Sequence, residues 1–444
     1  MRRSQIVRTA FLLGLFVVFP NLAERSRAQQ KMNSVDVGEV RGMLRDAFDA
    51  VKKYYYDPTY HGADLEARYH QCDERIKNAP SINEGMRMVA AFLDGLNDSH
   101  TFFIAPQRAY RFDYGYRYQL FGDQAFITRV RPGTDAESKV HPGDRLVALD
   151  SYAVNRQDLQ QLRYYLGELS PQPVTELVLV DPNGAARKIS VNFKIQPGKK
   201  VMDITGTAGA SDIWQLVREE QNQDHVVRQR TVTIGDVMIW KMPEFFLEDL
   251  AIDHYFEAAR KCKALILDLR SDPGGSTVTL ERMVGNVFDH DVQISNRVGK
   301  KEMKPQLAKT VGDHAFGGKL IVLVDSQSAS AAELFARVIQ LEKRGTVLGD
   351  RSSGSVMEAR RYPYEQGFDT KIFYTFSITD ADLVMSDDKS LEHAGVTPDE
   401  IVLPTAQDLA GGRDPVLARA AELAGIQLDP VEAGKLFPFE WVAF

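Results

Sequence analysis

Apolar residues in the second half of the chain fall into short runs, and one pair of runs surrounds a serine-rich turn. Residues 320–324 are apolar and partly β-branched, which predicts a short buried strand. In residues 331–341 the apolar side chains recur at helical spacing, which predicts an amphipathic helix. The residues between these runs are small and polar. The pattern therefore predicts a strand, a tight turn and a helix, with Ser330 at the helix start.

A serine at such a turn has two interpretations. Ser328 or Ser330 can cap the helix, which is the usual role of serine at a helix start. A hydroxyl held there by rigid elements also lies near the free N–H groups of the first helical turn. That arrangement suits a nucleophile with an adjacent oxyanion site. The local pattern alone leaves both interpretations open.

The rest of the second half repeats the alternation of strands and helices. Strands are predicted at residues 232–234, 237–241, 264–267 and 346–348, and helices at 247–259 and 277–287. This alternation predicts βαβ units and a parallel sheet. Sites in such sheets form beyond the carboxyl ends of the strands. Both Ser330 and the Gly274-Gly275 turn lie at such ends.

The first half has a different organisation. Residues 35–96 show helical periodicity and predict a small helical bundle, which ends in a polar turn that contains His100. Residues 107–197 predict five or six short strands and one helix, which is typical of a small, partly open barrel. Residues 198–230 are polar and irregular, so we interpret them as a linker or insert.

The run from Pro142 to Asp150 resembles a PDZ domain. This resemblance implies that residues 107–197 bind a peptide segment by strand addition, often with its terminal carboxylate in a backbone nest. Residues 116–121 stand where the carboxylate-binding loop is expected, but they lack the usual glycines.

The N-terminus predicts a signal peptide over residues 1–28. Arg2, Arg3 and Arg8 precede a short apolar run at residues 10–18, and small residues precede a predicted cleavage after Ala28. No later segment has eighteen consecutive apolar residues, so no membrane span is expected in the mature chain. We therefore expect an exported protein, periplasmic or extracellular.

Composition excludes several classes of protein. The formal net charge of −7 argues against a nucleic-acid partner. Two cysteines cannot form a zinc cluster, and no His-Glu-x-x-His run occurs. We expect neither a metal nor a cofactor, and the oligomeric state stays undetermined.

A serine nucleophile needs a base and oxyanion donors. An N–H from Gly274 or Gly275, together with that of Ala331, could supply the donors, although a Gly-Gly turn is also common between a strand and a helix. Among nine histidines, His100 and His393 are the candidate bases. Asp98 could equally satisfy His100 within a structural turn, and spacing does not choose between the two histidines.

Three separated motifs resemble the C-terminal processing peptidase family, which includes the tricorn protease core. Residues 268–275 resemble its Asp-Leu-Arg-x-Asn-x-Gly-Gly turn, with Asp272 in place of the asparagine. Residues 328–333 resemble its Ser-Ala-Ser-Ala-Ser-Glu motif, which implies Ser330 as the nucleophile. Residues 395–399 resemble its Gly-Val-x-Pro-Asp motif. The resemblance implies a ClpP/crotonase-like α/β core.

One departure bears on the base. Family members with a Ser–Lys dyad carry a lysine where this chain has Ser355, and serine is not a base. Tricorn-like members instead have a histidine in a turn resembling residues 96–101 and a glutamate just before the last motif. The resemblance thus implies His100 as base, Glu392 as its orienting acceptor and Ser99 as a relay between them.

The sequence thus predicts a multidomain α+β serine peptidase. Its predicted parts are the signal peptide, a helical domain at residues 29–106, a PDZ-like domain at 107–197, a linker or insert at 198–230 and a peptidase core at 231–444. The expected substrate is a polypeptide. A catalytically inactive PDZ-bearing scaffold and a small-molecule esterase or amidase are the alternatives.

Overall fold

The computed structural model describes residues 32–106, 110–197, 225–367 and 371–442. The predicted signal peptide lies outside these ranges, as does most of the predicted linker. Within the residues described, no helix combines the length and apolar character needed to cross a membrane.

Three helices form the N-terminal bundle: α1 (Ser34–Tyr54), α2 (Leu65–Lys77) and α3 (Ile82–Asp94). Each begins at a residue whose side chain caps the helix; at α3, for example, the Ser81 hydroxyl accepts from the Glu84 N–H at 3.3 Å. Apolar side chains from one face of each helix meet in a common cluster that includes Phe48, Val51 and Phe92.

Residues 110–197 form a small sheet with one helix across it. The strands are β2 (Tyr110–Asp113), β3 (Tyr116–Phe121), β4 (Gln124–Val130), β5 (Arg145–Leu149), β6 (Tyr152–Ala153), β7 (Val174–Val180), β8 (Ala186–Asn192) and β9 (Lys194–Pro197). Helix α4 (Leu159–Leu162) continues as a π-helix over Arg163–Leu169. Strands β3-β4-β5-β7-β8 pair in that order and β6 pairs with β5, while β2 pairs with β9 where the chain enters and leaves the unit.

Residues 116–121 form strand β3 at the edge of the sheet rather than a loop, which agrees with their lack of the glycines usual in a carboxylate-binding loop. The backbone of β3 pairs antiparallel with that of β4, and the turn before β3 contains Gly115, at φ +72°.

A six-stranded sheet forms the centre of the second half. Its strands are β10 (Arg230–Ile234), β11 (Val237–Lys241), β12 (Ala264–Asp268), β15 (Lys319–Val324), β16 (Thr346–Gly349) and β19 (Glu400–Ile401). Apart from the β10–β11 hairpin, all neighbours pair in parallel, as the alternation predicts. Strands β12 and β15 are buried on both faces, which explains their continuous apolar runs.

Helices cover both faces of this sheet. They are α5 (Asp249–Ala259), α6 (Thr277–Gly285), α7 (Ala331–Leu341), α9 (Pro415–Leu423) and α10 (Pro430–Lys435), and the short helix α8 (Ala406–Ala410) precedes α9 in the chain. Leu265 and Leu267 of β12 join the cluster with α5, α6 and α7, whereas Ile266 joins the cluster with α9 and α10. Alternate side chains of one strand thus pack into two separate cores.

A second sheet connects the N-terminal bundle to this core. It contains β1 (Phe102–Ile104), β13 (Val292–Gly299), β14 (Gln306–Ala308), β17 (Met357–Gln366) and β18 (Ile372–Val384). Strand β1, directly after the His100 turn, pairs with β18. Tyr374, Phe376 and Ile378 of β18 lie in the same apolar cluster as the three N-terminal helices. The predicted helical domain therefore shares its core with the second half.

Candidate active site

Ser330 occupies a strained turn between β15 and α7. Its backbone adopts φ 54° and ψ −117°, outside the extended conformation of an ordinary N-cap residue. Positive φ is uncommon for residues other than glycine and is concentrated at functional sites. A serine on a sharp strand-to-helix turn is also the geometry of a nucleophile elbow. The backbone thus favours the nucleophile interpretation over a simple helix cap.

The residues before Ser330 build the turn. Oδ1 of Asp325 accepts from the backbone N–H groups of Ser271, Gln327 and Ser328 at 2.9, 2.9 and 3.1 Å. The Ser328 hydroxyl is fully buried and donates to the Leu269 carbonyl at 2.8 Å. Ser328 is therefore structural, whereas Ser330 is partly exposed.

The sheet of residues 110–197 touches the same turn. The Gln119 side chain donates to Oδ2 of Asp325 at 2.5 Å, and the Ser326 hydroxyl donates to the Leu120 carbonyl at 2.6 Å. Both contacts come from β3, so this edge strand is in direct contact with the segment that carries the nucleophile.

The Gly-Gly turn packs directly against Ser330. A Cβ on Gly274 would lie 2.7 Å from Cβ of Ser330 and 2.8 Å from the Ala331 nitrogen, so only glycine fits there. Ala331 is the first residue of α7, and its N–H has no intrahelical acceptor. Within the described part of the chain, neither this N–H nor that of Gly275 donates a hydrogen bond. These two groups are the candidate oxyanion donors.

Gly274 itself is not available, which corrects a sequence prediction. Its N–H donates to Oδ1 of Asp272 at 2.7 Å. Burial raises the pKa of Asp272, and the side chain is fully buried. The predicted role of the Gly274 amide as an oxyanion donor is therefore wrong, while the amides of Gly275 and Ala331 stay predicted donors.

His100 lies in a turn that Asp98 holds through the backbone. Oδ1 of Asp98 accepts from the N–H of His100 at 2.8 Å and from the Thr379 hydroxyl of β18 at 2.8 Å. In this structure Asp98 does not hydrogen-bond the imidazole, so its structural role leaves the ring of His100 free for another partner.

Ser99 and Glu392 bind the imidazole in series. Nδ1 of His100 lies 2.8 Å from the Ser99 hydroxyl, which donates to Oε2 of Glu392 at 2.8 Å. The single hydroxyl proton of Ser99 is used in that bond, so the hydroxyl accepts from Nδ1–H of His100. Nε2 is then the unprotonated nitrogen, which is the tautomer a general base requires.

Glu392 also connects this series to the nucleophile turn. Oε2 of Glu392 accepts from the Val356 N–H at 2.9 Å, and the preceding carbonyl, that of Ser355, accepts from the Ser330 N–H at 2.8 Å. Hydrogen bonds and the peptide link between Ser355 and Val356 thus connect the backbone of Ser330 to the ring of His100. The structure brings the predicted relay and acceptor into contact with the predicted base and joins them to the turn that carries Ser330.

His393 lies beside this group but does not bind the His100 imidazole. Its Nε2 lies 3.0 Å from the Asn97 carbonyl and 3.6 Å from Oε1 of Glu392, and its side chain is 54% exposed. This placement agrees with the choice of His100 rather than His393.

Burial lowers the pKa of the His100 imidazole below its ordinary value, although the charges of Glu392 and Asp98 oppose this effect. A neutral imidazole is therefore the dominant form around pH 7. No group of three or more metal-ligating side chains occurs in the described ranges.

Glu333 lies at this site but is not among the catalytic residues predicted from the sequence. It is completely buried three residues after Ser330, and its carboxylate accepts four hydrogen bonds around the nucleophile turn. Its place in the 328–333 motif was the available signal.

A change at Ser99 tests the relay. In Ser99→Ala, Nδ1 of His100 loses its acceptor, and the unproductive tautomer becomes populated. We expect kcat to fall about 10²- to 10⁴-fold, the range for general-base catalysis, with little change in KM. Initial rates on a fluorogenic peptide measure this, with Ser190→Ala on the exposed face of β8 as control. Unchanged kcat in Ser99→Ala would rule out the relay.

Asp268 and Arg270, from the Asp-Leu-Arg part of the 268–275 motif, belong to a largely buried ion network. Arg270 Nη2 donates to Asp268 at 2.7 Å and to Asp414, the N-cap residue of α9, at 2.8 Å. Burial acts to raise the pKa of Asp268, but Arg270 and Lys241 outweigh it and hold that pKa well below its ordinary value. The network ties the strand before the oxyanion turn to the C-terminal helices.

Arg270→Ala is expected to destabilise the fold by about 3–5 kcal/mol, because it leaves two carboxylates without their buried partner. Urea unfolding measures the change. Lys188→Ala, which breaks the exposed Lys188–Glu176 pair, serves as control and should leave the midpoint unchanged. An equal response of both variants would refute a buried network.

Comparison with known proteins points to similarity with serine-type peptidases. Residues 234–402 match peptidase family S41. The chain is 25% identical to the tail-specific protease of Haemophilus influenzae over 320 residues, which are 67% of this chain and 42% of that protein. It is 23% identical to the tricorn protease homolog 2 of Streptomyces coelicolor over 414 residues, covering 88% of this chain and 33% of that protein.

A solved structure, mature CPAF, shares the fold. Its TM-score is 0.62 at 16% identity, and the match covers 85% of this chain and 95% of CPAF. The chain spans less than half the length of the two relatives above. The match of residues 234–402 to peptidase family S41, together with the tail-specific protease relative, supports the predicted resemblance to the C-terminal processing peptidases.

Proposed function

We propose that this protein is an exported serine endopeptidase that hydrolyses polypeptides through an acyl-enzyme on Ser330, with His100 as the general base. The observation that supports this most is the Glu392–Ser99–His100 series, whose members come from segments 293 positions apart. The series joins segments far apart in the chain at the imidazole, and it fixes the tautomer that a serine nucleophile needs.

In the proposed reaction, Nε2 of His100 takes the Ser330 proton as the hydroxyl attacks the peptide carbonyl. The N–H groups of Gly275 and Ala331 stabilise the oxyanion. His100 then gives its proton to the leaving amine, and the acyl-enzyme forms. Water, deprotonated by the same imidazole, hydrolyses the ester and restores Ser330. Glu392 stabilises the imidazolium through Ser99.

A polypeptide substrate is favoured by the sheet of residues 110–197, for which we propose a PDZ-like role in binding a peptide segment. A cavity of about 260 Å³ lies between β3 and the helix at 159–169, lined by Tyr116, Tyr118, Leu162 and Leu166 among others. Strand β3 pairs with β4 on one edge, and on its other edge Arg163 donates to the Tyr118 carbonyl. A peptide strand added at this edge would donate its backbone N–H groups to carbonyls such as that of Tyr118.

We retain the predicted division into a helical domain, a PDZ-like domain at 107–197, a linker or insert and a peptidase core. The pairing of β2 with β9 supports a unit that begins and ends at neighbouring points. Export rests on the predicted signal peptide at residues 1–28.

Turnover of casein and of a short-chain p-nitrophenyl ester, measured side by side, tests the proposed function. An endopeptidase degrades casein to peptides that mass spectrometry detects. Ester turnover without casein cleavage would favour the esterase or amidase. Absence of both casein cleavage and ester turnover would favour the catalytically inactive PDZ-bearing scaffold.

A further inference from the structure

Glu333 is a buried carboxyl group that takes no part in the proposed proton transfers. Its Oε1 accepts from the Gly354 N–H at 2.7 Å and from the Ser352 hydroxyl at 2.5 Å. Its Oε2 accepts from the N–H groups of Ser330 at 3.1 Å and Ser355 at 3.0 Å. Burial of a carboxylate is costly unless its hydrogen bonds are made, and here four donors surround it.

The loop at 352–355 is bound on its other side to the segment after Glu392. The Ser352 hydroxyl accepts from the Val396 N–H at 2.6 Å, and the Gly354 carbonyl accepts from the His393 N–H at 2.8 Å. Glu333 therefore lies between the nucleophile turn and the segment that carries the orienting carboxylate.

We propose that Glu333 is a positioning residue: its ionised carboxylate fastens the loop at 352–355 to the nucleophile turn and so sets the relative placement of Ser330, the Ala331 amide and Glu392. This inference rests on the proposed function. Ser355, where dyad relatives carry lysine, then contributes through its backbone, since its N–H binds Glu333 and its carbonyl binds the Ser330 N–H.

Only the ionised form of Glu333 satisfies all four partners. A protonated carboxyl would place an O–H against groups that are themselves donors, so one contact would break or the Ser352 hydroxyl would have to turn. Burial raises the pKa of Glu333 to about 7, and the four donors oppose the shift. We call the four hydrogen bonds that ionised Glu333 accepts the clamp. The clamp therefore forms as the pH rises through about 7.

The other titratable groups on the packed elements have their own partners. Asp350 pairs with Arg156, Arg337 with Asp387, Glu392 with Ser99 and His393 with Asn97, while Arg351 is exposed. The pKa of His100 lies below the ordinary histidine value. The pH profile of kcat/KM should thus show two separate acid limbs, one from ionisation of His100 and one from ionisation of Glu333.

Glu333→Gln tests the clamp, with the exposed Glu342→Gln at the end of the same helix as control. The glutamine NH₂ donates toward groups that already donate, so we expect kcat/KM on a fluorogenic peptide at pH 8 to fall about 10- to 100-fold. The limb near pH 7 should vanish in this variant while the limb from His100 remains. Glu342→Gln should match wild type.

Ser352→Ala provides a second variant that keeps the carboxylate. The Ser352 hydroxyl lowers the pKa of Glu333 by donating to it, so its removal should move the limb near 7 to higher pH. If circular dichroism shows that Glu333→Gln does not fold, the pH profile of Ser352→Ala alone decides. A limb that moves to higher pH supports the clamp, and an unmoved limb overturns it. If both variants fold, values of kcat/KM within twofold of wild type and pH profiles with unchanged acid limbs would also overturn the clamp.

Hydrogen exchange separates this inference from the proposed function. Failure of the wild type to hydrolyse any peptide would refute the endopeptidase, whereas exchange across residues 350–356 still reports the clamp. Faster exchange there in Glu333→Gln than in wild type and Glu342→Gln supports the clamp. Equal exchange in all three proteins overturns it.

Discussion

Replacement of Ser330 by alanine is expected to lower kcat about a million-fold, the loss typical of removing a catalytic serine from a triad. The hydroxyl is the atom that forms the acyl-enzyme, and Ser328, two residues earlier, is not placed to replace it, because it is buried and bonded to the Leu269 carbonyl. Steady-state rates on a fluorogenic peptide measure the loss.

The fold should survive this change. Ser330 is partly exposed and alanine keeps its backbone contacts, so the circular dichroism spectrum and unfolding midpoint should match those of Ser190→Ala. Full activity in a folded Ser330→Ala protein would show that another residue is the nucleophile.

Replacement of His100 by alanine is expected to have an effect of the same order, about a million-fold in kcat, because serine and histidine of a triad act as one unit. Without Nε2 of His100, no base accepts the Ser330 proton. The same peptide assay measures this loss.

His393→Asn is the matched control for His100. Asparagine tolerates the positive φ of 59° at this position, and the His393 ring contacts Asn97 rather than the nucleophile turn. This variant should retain activity close to that of wild type. Loss of activity in His393→Asn together with a fully active His100→Ala would reverse the assignment of the base.

Local pattern was enough to predict the element that carries the nucleophile. The apolar run before the turn and the helical spacing after it predict β15 and α7 (Ala331–Leu341), which the structure confirms. These are features that neighbouring residues determine. The strained backbone of Ser330 is also local, but its φ of 54° has no sequence signature of its own.

The base could not be derived from spacing. His100 and Glu392 meet because β1 pairs with β18 and because the loop around Val356 contacts Glu392. Those are contacts between segments far apart in the chain, and only the resemblance to a family indicated them.

The oxyanion prediction failed at one atom for a similar reason. Asp272 stands where the family motif has asparagine, and its carboxylate takes the Gly274 N–H. A glycine pair predicts close backbone approach, but which amide stays free depends on the side chain folded over the turn.

Reaction with a fluorophosphonate, followed by mass spectrometry of the digested protein, tests the central claim most directly. A serine activated by His100 and faced by the Gly275 and Ala331 amides should form a single adduct, on the peptide that contains Ser330. The adduct should be absent in His100→Ala. An adduct on another serine, in a protein that cleaves casein, would contradict the site described above.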